Sequence, residues 1–409
     1  NNGFPGSIAM SKLNPTFIYY TGREYLYVSK DYGANFQKLG KLSSNVFADV
    51  AISDINSQII IGGYVNAERS TNGGLDFTEI TDWNNKNPDS TYIHADLVSI
   101  QCIGGVFYAT TDGYLAKSLD NGSSWTRLNE GTCIREFYKI GNSQSNENVT
   151  IGGSQDSGSS IRSEDTWIEF DGADGTNAIV HPINSNYFMS SYQFGSRSRT
   201  LDGGLTKDFC FNPETDYMSA GWTAPLLIDP DDQMMVYHAG TNLYKNKNWG
   251  EAGSWEKVGS PNMGPIKNAA FGNINANILV TTHNTEVMVS DDKGKTWKNR
   301  TSNLPNFYIS TFGIDPKHDS TLVVGFSPYE TSDKNIFISH NLGSTWTNIT
   351  YNLGGIPIND ILIDHSKERI IYLATEVGVF YKPMKGNTWE LFGTKLPGVA
   401  VNDLDIHYA

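Results

Sequence analysis

The sequence predicts an all-β chain of repeated four-stranded units, and three observations carry that prediction. The first is composition. Gly accounts for 40 of 409 residues, aromatics for 12% and charged residues for only 18%, against roughly 25% charged in an average globular protein. Many short strands joined by glycine-rich turns have this balance, whereas a helical bundle or a disordered chain does not. The second is a recurring eight-residue turn, and the third is the pattern of short apolar runs around it.

The turn reads Ser or Thr, any residue, Asp or Asn, any residue, Gly, then usually an aromatic three positions on. It occurs as Ser29–Phe36, Ser70–Phe77, Ser118–Trp125, Thr200–Gly204, Ser290–Trp297 and Ser339–Trp346. The acid or amide positions are Asp31, Asn72, Asp120, Asp202, Asp292 and Asn341, separated by 41, 48, 82, 90 and 49 residues. The two long gaps each hold two units, so a worn copy is expected in each: at Trp167 in the first and at Trp255, within Glu251-Ala-Gly-Ser-Trp, in the second. Another worn copy ends at Trp389. The chemistry suits a hairpin turn, because the carboxylate or amide accepts from backbone N–H groups, Gly supplies positive φ and the aromatic tucks under the sheet. These acids are therefore assigned to structure, not to catalysis.

Ahead of each turn the units read alike. An apolar strand runs into a turn, as in Gly313-Ile-Asp-Pro316 and Leu227-Ile-Asp-Pro230, and a second follows, as in Val236–Gly240 and Ile371–Thr375. A third enters the turn (Tyr25–Val28, Asn335–Ser339) and a fourth leaves it. Four short strands per ~45 residues make a β-propeller blade. Nine complete units are expected, with the first strand of a tenth at Val399–His407. A division near residue 90 is expected, with two units in 1–90 and seven plus the orphan strand in 91–409; one large ring and two propellers both stay open.

The repeated turn resembles the Asp-box, or bacterial neuraminidase repeat (BNR), of sialidases, xyloglucanases, sortilin-type receptors and photosystem assembly factors. Over nearly the whole chain the sequence is similar to large secreted Asp-box proteins of Bacteroidetes, often exported by type IX secretion. The phrases that carry this are Ile93-His-Ala-Asp96, Gly152-Gly-Ser-Gln-Asp156, Asp171-Gly-Ala-Asp-Gly175, Tyr192-Gln-Phe-Gly195 and Leu373–Phe380. The resemblance implies a β-propeller, a secreted or cell-surface location and a longer parent chain, since the phrase like Leu396–Leu404 is typically followed there by a Gly-Arg-Gly strand absent here. Sialidase activity would need an arginine triad and an Arg-Ile-Pro opening phrase, which is missing. Xyloglucanase-type hydrolysis would need two carboxylates across a cleft, ~6.5–9.5 Å apart in an inverting enzyme. The first-blade Thr-Asp-x-Gly-Gly phrase of that family has no match at Tyr20-Thr-Gly-Arg-Glu24.

A net charge of −14 disfavours a nucleic-acid groove or an anionic membrane as partner. No run approaches the ~20 apolar residues of a membrane span. Three cysteines (Cys102, Cys133, Cys210) allow one disulfide at most, one involving Cys102 or Cys133 being the expected choice. Sequons begin at Asn121, Asn148, Asn299 and Asn348. Loops between strands hold the ligand-binding candidates: His94, Asp96, Asp112, Gln155, Asp156, Asp171, Asp174, Tyr192, Gln193, Trp222 and Glu376, with Asp229 beside them. The aromatics could stack on a sugar ring. No cofactor is expected. The loop Asp171–Gly175 is the one whose carboxylates and carbonyls suit Ca²⁺, though it lacks the alternating acids of dedicated loops. His94 and Asp96 have no third metal ligand at a recognisable spacing. The expected function is non-catalytic recognition or scaffolding with a protein or polysaccharide ligand. The alternatives are an endo-acting glycoside hydrolase and a sortilin-like peptide receptor.

Overall fold

The computed structural model describes residues 6–22, 24–42, 47–85, 89–128, 135–210, 213, 217–327 and 333–408. Cys133 and Arg23 lie outside the described residues. Among the described residues nine four-stranded antiparallel sheets follow one another along the chain, each with its strands in sequence order. They are β-propeller blades and span 8–41, 49–79, 97–127, 137–171, 175–209, 226–259, 268–299, 309–348 and 358–391. No α-helix occurs among the described residues; three short 3₁₀ turns interrupt the connections. The chain falls into two compact units, Asn1–Ile134 with three blades and Arg135–Ala409 with six.

Within each unit, apolar residues on the facing sides of consecutive blades are buried because those blades stack face to face. Ile61, Phe107 and Ala116 share a cluster across blades two and three, and Val323, Ile336, Ile371 and Leu373 share one across blades eight and nine. The second strand of blade eight, Leu322–Phe326, is buried at all five positions, as expected of a strand covered on both sides.

The repeated turn forms as its residue types require. In the six intact copies the Ser or Thr hydroxyl is at most 2% exposed. It accepts from the Gly N–H four residues on at 2.7–3.1 Å and donates to the Asp or Asn oxygen at 2.7–2.9 Å. That oxygen in turn accepts from the backbone N–H four residues beyond it. The Gly φ angles run from 76° to 94°, a region an L side chain rarely occupies. Trp346 and Trp389 send their indole N–H to the preceding blade, to the carbonyls of Arg300 and Ile349. The tuck is not universal: Phe36 is 47% exposed.

The three worn copies differ from one another. In blade four, strands Gly158–Ser163 and Thr166–Asp171 meet through a two-residue turn, and Trp167 lies 54% exposed instead of tucked. In blade six the turn begins earlier than the sequence suggests. Asn246 takes the place of Ser, its amide oxygen accepting from Asn248 and Gly250, and two extra residues precede Trp255. In blade nine Lys382 takes that place. It is 1% exposed and donates to the carbonyls of Pro383 and Met384. Burial pulls its ammonium pKa down to about 8.

Within the second unit the first strands of successive blades pack in order from Phe137–Asn142 to Ile358–Ile363. The segment expected as a tenth first strand joins no sheet. Residues 399–408 run extended between blades nine and four and close that unit on itself. Leu404 N–H donates to Asp360, Asp403 accepts from Ile140 N–H and Asp405 from Asn142 N–H, at 2.7–3.1 Å. A side-chain device repeats here: Asn268, Asn359 and Asn402 each donate to a carbonyl of the next inner segment, on Ser310, Val401 and Phe137. The segment thus occupies an inner-strand position without a blade behind it.

Candidate functional site

A four-stranded meander has two ends. The first-to-second and third-to-fourth turns lie at one end. The second-to-third loops and the links between blades lie at the other. Of the sequence-predicted ligand candidates all but Asp229 fall at this second end: His94 and Asp96 enter blade three, and Asp112 follows its second strand. Gln155, Asp156, Tyr192, Gln193 and Glu376 lie in second-to-third loops or at their edges, Asp171 ends the fourth strand of blade four, and Asp174 and Trp222 lie in links. Asp229 falls at the opposite end. It is 1% exposed, ion-paired to Lys293 at 2.9 Å and bonded to the Tyr237 hydroxyl at 3.2 Å.

The second unit gathers part of this set around Tyr138, a residue the sequence did not single out. The Tyr138 hydroxyl donates to Gln155 Oε1 at 2.7 Å and lies within hydrogen-bonding reach of the Trp222 side chain. Asp156 N–H donates to Asp174 Oδ1 at 3.0 Å, tying two loops together. Burial, then the charges of Asp174, Glu136 and Asp156, raise the Tyr138 pKa, so the hydroxyl stays protonated.

Phe194 sets the wall of this patch. Its N–H donates to the Trp222 carbonyl at 3.0 Å, and its ring stands edge-on to the Trp222 indole at 5.3 Å and 81°. Its φ is 60°, strained for a bulky side chain. Trp222, so buttressed, remains 41% exposed.

Asp171 and Tyr192 belong to the framework. Asp171 is 3% exposed, accepts from the Tyr192 hydroxyl and pairs with Lys207 at 2.6 Å. The reason is legible in the turn: blade five has Lys207 where most copies carry an aromatic. Its ammonium reaches the preceding blade, donating to the Phe170 carbonyl and the Asp171 carboxylate. Burial and the bond to Asp171 push the Tyr192 pKa far up. With Asp171 and Asp174 turned to different partners, the loop between them gathers no ligand cage. Among the described residues no group of three or more His, Cys, Asp or Glu could hold a metal ion.

In the first unit His94 N–H donates to the Tyr114 hydroxyl at 3.0 Å and the His94 ring sits edge-on to that ring. Glu376 accepts from Asn359 at 2.9 Å. Gln193 opens the 3₁₀ turn that carries Phe194. Cys102 and Cys210 are both free and buried.

A cavity of about 420 Å³ runs between the inner strands of the second unit. Its charged lining, Lys139, Lys267, Asp360, Asp403 and Asp405, did not stand out in the sequence. Lys139 Nζ lies 2.6 Å from Asp403 and 3.8 Å from Asp360. Burial raises the Asp403 pKa to about 7, with Lys139 opposing and Asp360 adding to the rise. Burial alone would lower the Lys139 pKa, but Asp360 and Asp403 more than offset it. All four oxygens of this carboxylate pair accept from the chain itself, from Lys139, Ile140 N–H, Thr311 and Leu404 N–H. The signal was the repeated phrase Ile358-Asn-Asp360-Ile and Val401-Asn-Asp403-Leu.

No protein-family model and no curated protein matches the sequence. Solved structures similar to the chain include a GH74 enzyme of Niastella koreensis, 16% identical with a TM-score of 0.26, covering 94% of this chain and 77% of that one. An ancestral GH74 enzyme is 16% identical, TM-score 0.31, covering 98% and 65%. The GH74 xyloglucanase of Xanthomonas campestris is 13% identical, TM-score 0.26, covering 94% and 72%.

Proposed function

We propose that the chain is a non-catalytic recognition propeller that binds a polysaccharide on the loop end of its second unit, as part of a secreted or cell-surface protein. The observation that carries this is the Trp222 indole, 41% exposed and braced perpendicular to Phe194, with the Tyr138, Gln155 and Asp156–Asp174 polar groups beside it. A rigid aromatic face with carboxylates and amides at its rim suits a pyranose, whose C–H face stacks and whose hydroxyls need acceptors. Asp171 and Glu376, also at this end, are engaged internally, with Lys207 and Tyr192 and with Asn359 respectively, which supports binding over hydrolysis.

Binding to a panel of plant and microbial polysaccharides by affinity electrophoresis tests the reading. Trp222→Ala should weaken retention about thirty-fold, the loss of roughly 2 kcal/mol typical of a truncated aromatic anchor. Release of reducing ends from any bound polysaccharide would overturn the non-catalytic part. Retention unchanged by Trp222→Ala would overturn the site.

A further inference from the structure

Beneath the loop that carries Phe194 lies a guanidinium with no counter-charge. Arg197, on the third strand of blade five (Arg197–Thr200), is 0% exposed. Among the described residues no carboxylate forms an ion pair with it, and its Nε and Nη1 have no hydrogen-bond partner. Its one side-chain partner is His238 Nδ1, on the second strand of blade six (Val236–Ala239), itself 0% exposed. A guanidinium can only donate, so Nδ1 accepts and the His238 proton resides on Nε2. That N–H is also unpartnered, as is the Trp255 indole N–H; the Trp255 ring lies 5.3 Å from the guanidinium carbon and 6.3 Å from the His238 ring. Burial, then the Arg197 charge, hold the His238 pKa well below the ordinary value, so histidine adds no second cation.

Donors outnumber acceptors in this neighbourhood; Gln193 Oε1, on the overlying loop, is a buried acceptor but a neutral one, and leaves the charge uncompensated. Four buried nitrogens that carry N–H groups, two of them on a fixed cation, have no hydrogen-bond partner. Buried polar groups are otherwise paired in folded proteins, and a buried charge needs compensation. Cys210 does not supply it, because burial raises its thiol pKa to about 11 and keeps it neutral. Water would satisfy a donor but leave the charge uncompensated. A halide accepts several N–H bonds and cancels the charge.

We propose that Arg197 anchors a buried inorganic anion of chloride size between blades five and six, with His238 and Trp255 as neighbouring donors. The anion would then underpin the loop Gln193–Gly195. Gly195, at φ 79°, passes so close to His238 that a Cβ there would come within 2.6 Å of its ring. The proposal stands on the buried donors alone and is independent of the polysaccharide reading.

The test combines crystals of the full chain soaked in sodium bromide with melting in sodium chloride against sodium gluconate at equal ionic strength. An anomalous peak within hydrogen-bond distance of Arg197 Nε or Nη1 is expected, as is a chloride-dependent rise in Tm of about 3 °C. Arg197→Met, which removes the cation but keeps an apolar chain of similar length, should melt identically in the two salts. If that variant does not fold, the bromide peak and the salt dependence of the unaltered protein still decide the matter. A water in place of the peak, or equal melting of the unaltered protein in both salts, overturns the proposal. So does a peak seen only at molar bromide without any effect on melting, which would mark an adventitious ion only.

Discussion

Ser290 shows how much one hydroxyl does in this chain. It is 1% exposed, accepts from Gly294 and Asp292 N–H, and donates to Asp292. Ser290→Ala leaves the buried Gly294 N–H without a partner and should cost about 1–3 kcal/mol, read from urea unfolding. Asp292→Asn should be much milder, since Asn72 and Asn341 perform the same task elsewhere. These turns were legible because every atom they use is local and the residue types recur. The stand-ins were not. Asn246 and Lys382 replace Ser by different chemistry, and a pattern written in residue names passes over a replacement that preserves only the hydrogen-bonding role. Trp222 and Gln155 stood out in the sequence as a loop aromatic and a loop amide, whereas Tyr138, which the structure brings beside them, sits inside a strand and its partners are distant in sequence.

At the scale of the blade, the contact from one sheet to the next is made by whatever occupies the turn's last position. Trp389 makes it with an indole N–H, and Lys207 makes it with an ammonium that neutralises Asp171. Lys207→Ala should therefore destabilise by about 2 kcal/mol. That is less than the 3–5 kcal/mol of a fully buried pair because the Lys207 side chain is 45% exposed. The double variant Lys207→Met, Asp171→Asn should recover part of that loss, and thermal melting of the three proteins checks it. Truncation of the core between blades is a harsher change: Ile61→Ala, at a side chain with 0% exposure, should cost about 2–5 kcal/mol. Strand order within each sheet could be anticipated because neighbours in sequence pair. Which acid meets which lysine between sheets could not, since that depends on how the sheets stack.

For the second unit as a whole, the closing segment brings a titratable group into a place where charge is expensive. Asp403 has a folded pKa of about 7, raised first by burial, against about 3.9 in an unfolded chain. A raised carboxyl pKa favours the folded state below the unfolded value, and that contribution fades as pH rises through 7. Asp405, also raised by burial, acts in the same direction. The turn carboxylates Asp31, Asp202 and Asp292, held down to about 2 chiefly by side-chain hydrogen bonds from Asn35, Thr206 and Thr296, act oppositely and only below about pH 4. Between pH 4 and 7 the Tm of Asp403→Asn should therefore fall less steeply with pH than that of the unaltered protein; parallel curves would contradict this assignment.

The clasp of residues 399–408 on blade four also sets an order of events in time. Asp403 and Ile140, whose bond helps close the unit, are 263 residues apart in the chain. Each blade can pair its own strands as soon as some 45 residues have left the ribosome, but the circle cannot shut until its far end arrives. Contacts of such long separation form late, after the entropy of the intervening loop has been spent. The blades would thus wait as an open stack with two sticky flanks. Unzipping under a pull on the C-terminal end would begin at this same seam.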